Sequence, residues 1–277
     1  MEWAPLCNYT HYSLLKGYSK PQQLAEKCKA NGYKACGIAD YKSISGAVSF
    51  FMACKSNGIK PIIGCTFDTF TLFAKNKDGW LDLIKLVSSL DEEGNYDKKF
   101  LLKVTSKGNL ISVADKAGYS PIKGEDFYKR TPALMETYYT NKDDAPLHRI
   151  LLCSKMKTTV PKVNKLLSKH EDFDNREFFE QNTFYLPDST EVCEILTEDL
   201  DMNVKQIVDK CEEYDILSSP MLPEFPTPTG ESEEDYLKQL CREGWRDLLI
   251  KTGKVADEDM KQKYLDRFKT EFDVIND

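Results

Sequence analysis

Between Ser19 and Ile63 the apolar positions change period repeatedly, and each change marks the end of one element and the start of another. Ser19 is placed to cap a helix with Pro21 in its first turn. Leu24, Ala25 and Cys28 make its apolar stripe, and Asn31-Gly32 stops it. Ala35 to Ala39 reads as a short buried strand. A second helix runs from about Gly46 to Ser56, with Val48, Phe51, Met52 and Lys55 along it, and ends at Asn57-Gly58. Ile59 to Ile63 then resumes as strand. Because each helix in such an alternation is a crossover, the pattern predicts a parallel sheet, either open and doubly wound or closed into a barrel.

Further on the pattern is less regular. Phe67 to Ala74 (FDTFTLFA) is strand-like, Gly79 to Leu90 is an amphipathic helix, and Leu110 to Val113 is a short strand after Gly108-Asn109. Arg149 to Cys153 opens another apolar element. From Leu222 the composition shifts to LPEFPTPTGESEED, a proline-rich and acidic connector, which sets a boundary between domains 1–221 and 222–277. Helices from about Asp235 to Lys251 and Asp257 to Ile275 follow. Tyr264, Leu265, Phe268, Phe272 and Ile275 give the last one an apolar side that needs a partner.

The charge balance, 38 Lys plus Arg against 45 Asp plus Glu for a net of -7, disfavours autonomous binding to a phosphate backbone. The basic run Lys155 to Lys165 reads as a solvated loop and helix face. Nine cysteines without a CxxC pair give no disulfide framework or zinc site, and a reducing cytoplasm is the simpler setting. The segment MEWAPLCNYT lacks the features of a signal peptide, and no run of about 18 apolar residues would span a membrane.

Five collinear segments carry a family resemblance: Leu6 to Gly64, LHRILLCS at Leu147 to Ser154, FYLP at Phe184 to Pro187, Leu222 to Leu248, and the terminal YLDRFKTEFDVIND. Together they resemble the N-terminal region of the bacterial DNA polymerase III α subunit, which holds a polymerase and histidinol phosphatase (PHP) domain. The resemblance implies an α/β fold, a distorted (β/α)7 TIM-like barrel, with a C-terminal helical extension leading toward a polymerase palm. The palm would follow the last residues or be supplied in trans. The resemblance further implies DNA replication as the setting. Replisome proteins would be the partners, a proofreading exonuclease subunit or the palm among them, with DNA reached only through the polymerase.

The ligands of the family's metal site are replaced. Its first-strand HxH falls at Cys7 and Tyr9, and its aspartate before glycine at Lys16. Its Asp-His-Gly is Asp40-Tyr41-Lys42, and its next acidic ligand falls at Thr66. The Asp-x-His pair falls at Glu136 and Tyr138, and His148 alone sits where the family has histidine. A site that acidifies water between divalent ions needs neutral imidazoles and carboxylates, whereas tyrosine is protonated at neutral pH and Lys16 brings a competing cation. The chain's three histidines, His11, His148 and His170, cannot build an imidazole-rich cluster. No cofactor is therefore expected, and Tyr9, Tyr12, Tyr18, Tyr41, Tyr138 and Tyr139 fill the old cleft.

One alternative stays open. Residues two apart share a strand face, so His11 would join the side of Tyr9 and Asp68 the side of Thr66. A shifted site of His11, Asp40, Asp68, Glu136 and His148 would then hold Mn, Zn or Mg for exonuclease or pyrophosphatase chemistry. The carboxylate pairs Asp172/Asp174, Asp199/Asp201 and Asp257/Asp259 have the spacing of a polymerase metal site, but none lies in an apolar strand, and all read as solvated.

Overall fold

The structure is a computed structural model that describes residues 3–114, 119–168, 179, 181–196, 198–219, 223, 225–228, 230–255 and 257–276. His170, Asp172, Asp174, Leu222 and Asp277 lie outside the described residues, as do the side chains of Asp199 and Asp201. The chain divides into two compact units, Met1–Ser218 and Ser219–Asp277.

The first unit opens with β1 (Cys7–Asn8), α1 (Pro21–Ala30), β2 (Ala35–Tyr41), α2 (Ala47–Asn57) and β3 (Lys60–Thr66). This is the expected alternation, and β2 and β3 pair in parallel from Ala35↔Lys60 to Tyr41↔Thr66. Gly58 takes the left-handed conformation (φ 70°) that ends α2. Two details differ from the expectation. The cap of α1 is Lys20, because Ser19 is buried and its backbone pairs with Thr10. On α2 the inward residues are Phe50, Phe51 and Cys54, while Val48 and Met52 face solvent.

After β3 the parallel pattern breaks. The run expected as one strand is divided: residues 67–69 form a turn closed by the Phe67 amide donating to the Phe70 carbonyl (2.8 Å), and β4 (Phe70–Ala74) returns antiparallel. Three residues are too few for a crossover, so a hairpin is what the link permits. Next come α3 (Lys77–Ser88), capped by the Asn76 side chain, α4 (Lys98–Thr105) and β5 (Leu110–Ala114), which is antiparallel to β4. The short strand β6 (Phe127–Lys129) pairs in parallel with β5 and completes a five-stranded sheet ordered β2-β3-β4-β5-β6.

β7 (Glu136–Thr137) pairs in parallel with β1 as a separate two-stranded sheet. The two sheets abut where the Gly37 amide donates to the Pro5 carbonyl (2.7 Å), yet the described strands do not close a barrel. The fold is mixed α/β. Four helices follow: α5 (Ala145–Lys155), α6 (Val160–Ser168), α7 (Ser189–Ile195) and α8 (Glu198–Lys210). The segment Arg149 to Cys153 thus lies within α5.

In the second unit, α9 (Glu233–Gly244) continues into a π-helical stretch at Trp245–Ile250, and α10 is Glu258–Asn276. Asp257 caps α10 through the Met260 amide (2.6 Å). Leu265 and Phe268 line a cavity of about 340 Å³ with Cys241, Arg242 and Trp245, and both side chains are exposed. Among the described residues no helix is long and apolar enough to cross a membrane.

Gly37 holds the two sheets in register. A Cβ there would lie 2.4 Å from the Leu6 carbonyl oxygen and 2.7 Å from Leu6 Cα, both backbone atoms. Gly37→Ala is therefore expected to cost about 1–3 kcal/mol, read as a lower urea midpoint at an unchanged slope.

Candidate active-site cleft

The residues expected in the cleft gather at the C-terminal ends of β2 and β3 and along β1 and β7, in two polar clusters. At the centre of the first is Glu136. Its Oε1 accepts from Arg130 Nη1 (3.1 Å) and from the Tyr9 hydroxyl (3.2 Å), and its Oε2 accepts from the Tyr138 hydroxyl (3.0 Å). The Tyr9 and Tyr138 rings stack with centroids 4.6 Å apart. Arg130 also donates through Nη2 to Thr71 Oγ1 (3.3 Å) and meets Cys7 Sγ at 3.8 Å. Thr66 and Thr71 share a hydroxyl hydrogen bond of 2.9 Å, and the Tyr9 hydroxyl reaches Thr66 at 3.4 Å.

Electrostatics keeps this cluster's hydroxyls and thiol protonated. Burial pushes the Cys7 thiol up to about 11 although Arg130 opposes the shift, so the group that could have served as a thiolate ligand is a neutral thiol. Burial, and then the Glu136 charge, raise both Tyr9 and Tyr138. Among the described residues the fixed cation in contact with Glu136 is the guanidinium of Arg130. It was not singled out in the sequence, because it follows a three-residue strand and belongs to no spaced motif.

Lys16, Tyr41, Lys42 and Asp68 form the second cluster. The Lys16 ammonium sits 3.2 Å from the centroid of the Tyr41 ring, and Lys42 pairs with Asp68 at 2.8 Å. The Tyr41 hydroxyl donates to the same Asp68 carboxylate. Partial burial would raise Asp68, but the hydrogen bonds from Lys42 and Tyr41 outweigh it and hold the carboxyl below its ordinary range.

Asp40 is buried between the clusters and already has its hydrogen bonds. It accepts from the Thr10 amide (2.6 Å), the Thr10 hydroxyl (2.7 Å) and the Ser13 hydroxyl (2.5 Å), so it anchors the loop that follows β1. Burial raises its pKa and these three donors partly offset that. His148 is buried on α5 and its Nε2 lies 2.7 Å from the Lys16 carbonyl, which only accepts, so Nε2 carries the proton.

The shifted set is not drawn together. The alternation that would have placed His11 beside Tyr9 fails because β1 ends at Asn8 and residues 11–16 form turns; exposed His11 has its Nδ1 3.3 Å from the Ser19 carbonyl. Asp68 lies in the turn after β3, so it does not share the face of Thr66. His11, Asp40, Asp68, Glu136 and His148 each have different partners. Among the described residues no three His, Cys, Asp or Glu side chains are arranged to hold a metal ion. A divalent-metal centre does not fit this donor set: protonated hydroxyls and a neutral thiol surround Glu136, and a guanidinium is already bonded to it. Of the tyrosines expected to fill the cleft, Tyr9 and Tyr138 do so. Tyr139 is buried beside His148, Tyr12 lies against His11, and Tyr18 is exposed.

Removal of Arg130 would leave Glu136 without its cation. Arg130→Ala is expected to destabilise the protein by about 1–3 kcal/mol, measured by chemical denaturation, and Arg130→Lys to restore only part, since a point charge cannot reach Glu136, Thr71 and Cys7 together.

His148 supplies a pH dependence. Burial lowers its pKa below the ordinary 6.5, so the unfolded chain takes up the proton first. Its contribution is present above that value and is lost as pH falls through it toward the lower folded value. Stability measured from about pH 7 to pH 5 should therefore fall more steeply for the wild type than for His148→Gln, which keeps a donor for the Lys16 carbonyl.

The PHP domain family matches residues 6–120. DNA polymerase III subunit alpha of Bacillus subtilis (strain 168) is 27% identical over 334 residues, covering 99% of this chain and 28% of the relative. That of Buchnera aphidicola subsp. Schizaphis graminum is 25% identical over 342 residues, again covering 99% of this chain and 28% of the relative. The chain thus spans 28% of the length of these relatives. A crystal structure from Bifidobacterium adolescentis, described provisionally as a metal-dependent phosphoesterase, covers 74% of each chain at 13% identity and a TM-score of 0.30, too low to compare folds.

Proposed function

With a PHP domain at residues 6–120 and homology to the N-terminal region of DNA polymerase III α subunits, we propose that this chain acts in DNA replication as a scaffold and docking surface without hydrolytic activity of its own. The observation that carries this reading is the Arg130 guanidinium bonded to Glu136 at 3.1 Å inside the cleft. A phosphoesterase of the metal-dependent kind needs a bridging water made acidic by divalent ions. Here the carboxylate is matched by a side-chain cation that cannot dissociate, and the neighbouring hydroxyls are protonated.

A cleft so occupied still has a structural use. It ties β1, β3, β4, β7 and the segment after β6 into one network, which makes a stiff platform for a partner. The partner proposed is a replisome protein, either a proofreading exonuclease subunit or the polymerase palm that the relatives' greater length has room for. DNA would be met only through the polymerase, in the cytoplasm.

The test is metal content by mass spectrometry of the chain purified without chelator, joined to a manganese-supplemented assay on single-stranded DNA. Substoichiometric metal and no turnover are expected. Near-stoichiometric metal, with turnover abolished by Glu136→Gln or Asp68→Ala, would overturn the scaffold reading in favour of a remodelled phosphoesterase.

A further inference from the structure

The end of the sheet opposite the cleft carries a second concavity. It opens at the N-terminal ends of β2 and β3, has a volume of about 460 Å³, and is lined by Trp3, Tyr33, Lys34, Lys60, Lys205 and Asp209 among others. This is within the usual size range of small-molecule sites, about 300–1,000 Å³. Three of these side chains are ammonium groups and one is a carboxylate, in a chain whose net charge is -7.

Two of the lysines lie at the starts of adjacent strands, Lys34 just before β2 and Lys60 as the first residue of β3. Ala35 pairs with Lys60 across the parallel ladder, and the Lys60 amide donates to the Lys34 carbonyl (2.8 Å). Among the described residues neither Lys34 nor Lys60 forms an ion pair with a carboxylate. The half-buried Lys60 is held in place because its Nζ donates to the Val208 carbonyl (2.9 Å), which fixes the ammonium without cancelling its charge. Lys205 joins them from α8, one turn before Asp209. Trp3 and Tyr33 pack edge to face, with centroids 5.2 Å apart, and are pinned by hydrogen bonds to the Ala133 and Pro187 carbonyls.

We propose that this concavity is a binding site for a small phosphorylated anion, a pyrophosphate or a nucleotide, whose phosphoryl oxygens are held by Lys34, Lys60 and Lys205. Concentrated positive charge calls for a polyanion, the wall of fixed aromatic side chains favours a ligand with an apolar body, and the volume excludes a folded macromolecule. The site is separate from the Arg130–Glu136 cleft, and the inference does not rest on the scaffold reading.

Isothermal titration calorimetry of the chain with sodium pyrophosphate and, separately, with dAMP tests it. Saturable one-to-one binding of at least one of them is expected, weakening as salt is raised. Lys34→Ala and Lys205→Ala, both at exposed positions, should each lower the affinity by about tenfold, the loss of one charge-assisted hydrogen bond. Their melting curves should match the wild type. Lys60→Ala should do the same, and if it fails to fold the two exposed variants carry the test. Tighter binding of dAMP assigns the aromatic wall to a base, whereas tighter binding of pyrophosphate assigns the site to the phosphate chain alone. No saturable heat with either probe at millimolar concentration, or affinity unchanged in the lysine variants, overturns the proposal.

Discussion

A carboxylate that leaves bulk water needs a cation or several hydrogen-bond donors around it, and much of the cleft follows from how Glu136 meets that need. Arg130 supplies the cation while Tyr9 and Tyr138 supply the donors. Because Tyr9 follows β1 directly, Glu136 and Tyr138 lie in and just after β7, and Arg130 follows β6, satisfying one side chain fixes the relation of three parts of the chain. Asp40 solves the same problem differently. It takes three hydrogen bonds from Thr10 and Ser13, and the loop after β1 is fastened as a result.

The alternation of helix and strand through Ile63 was legible because each element there is signalled locally, by periodicity and by Asn-Gly stops. The turn at residues 67–69 was not, since FDTFTLFA carries no Gly, Pro or Asn to mark it, and its apolar residues pass for one continuous strand. The return of β4 then changes the sheet from parallel to mixed. Within the site, the expected replacement of ligands rested on residue identity alone. What identity could not convey was occupation. Arg130 enters the cleft through tertiary placement, and the Lys42–Asp68 pair depends on a left-handed residue at Lys42 (φ 50°) that no pattern announced. The alternation rule applied to His11 failed for a simple reason: a strand of two residues has no alternation to extend.

The two ends of the parallel pair β2–β3 have opposite characters. At the C-terminal end charges are paired within the protein, Lys42 with Asp68 and Arg130 with Glu136. At the N-terminal end Lys34 and Lys60 both line the concavity and have no ion pair among the described residues. Seven paired residues of ladder separate the two, long enough that the electrostatics of each end is set by its own surroundings.

The limits of the family match and of the folded unit do not coincide. The match stops at residue 120, whereas β1 finds its ladder partner in β7, and Trp3 is held by the carbonyl of Ala133. Cutting the chain at the limit of the family-model match would therefore strip the first strand of its pairing and remove Arg130, Glu136 and Tyr138 together. The segment that the family model matches is not a module in its own right: residues beyond the match complete its architecture, and the boundary of a sequence motif and the boundary of a mechanical unit divide the molecule along different lines.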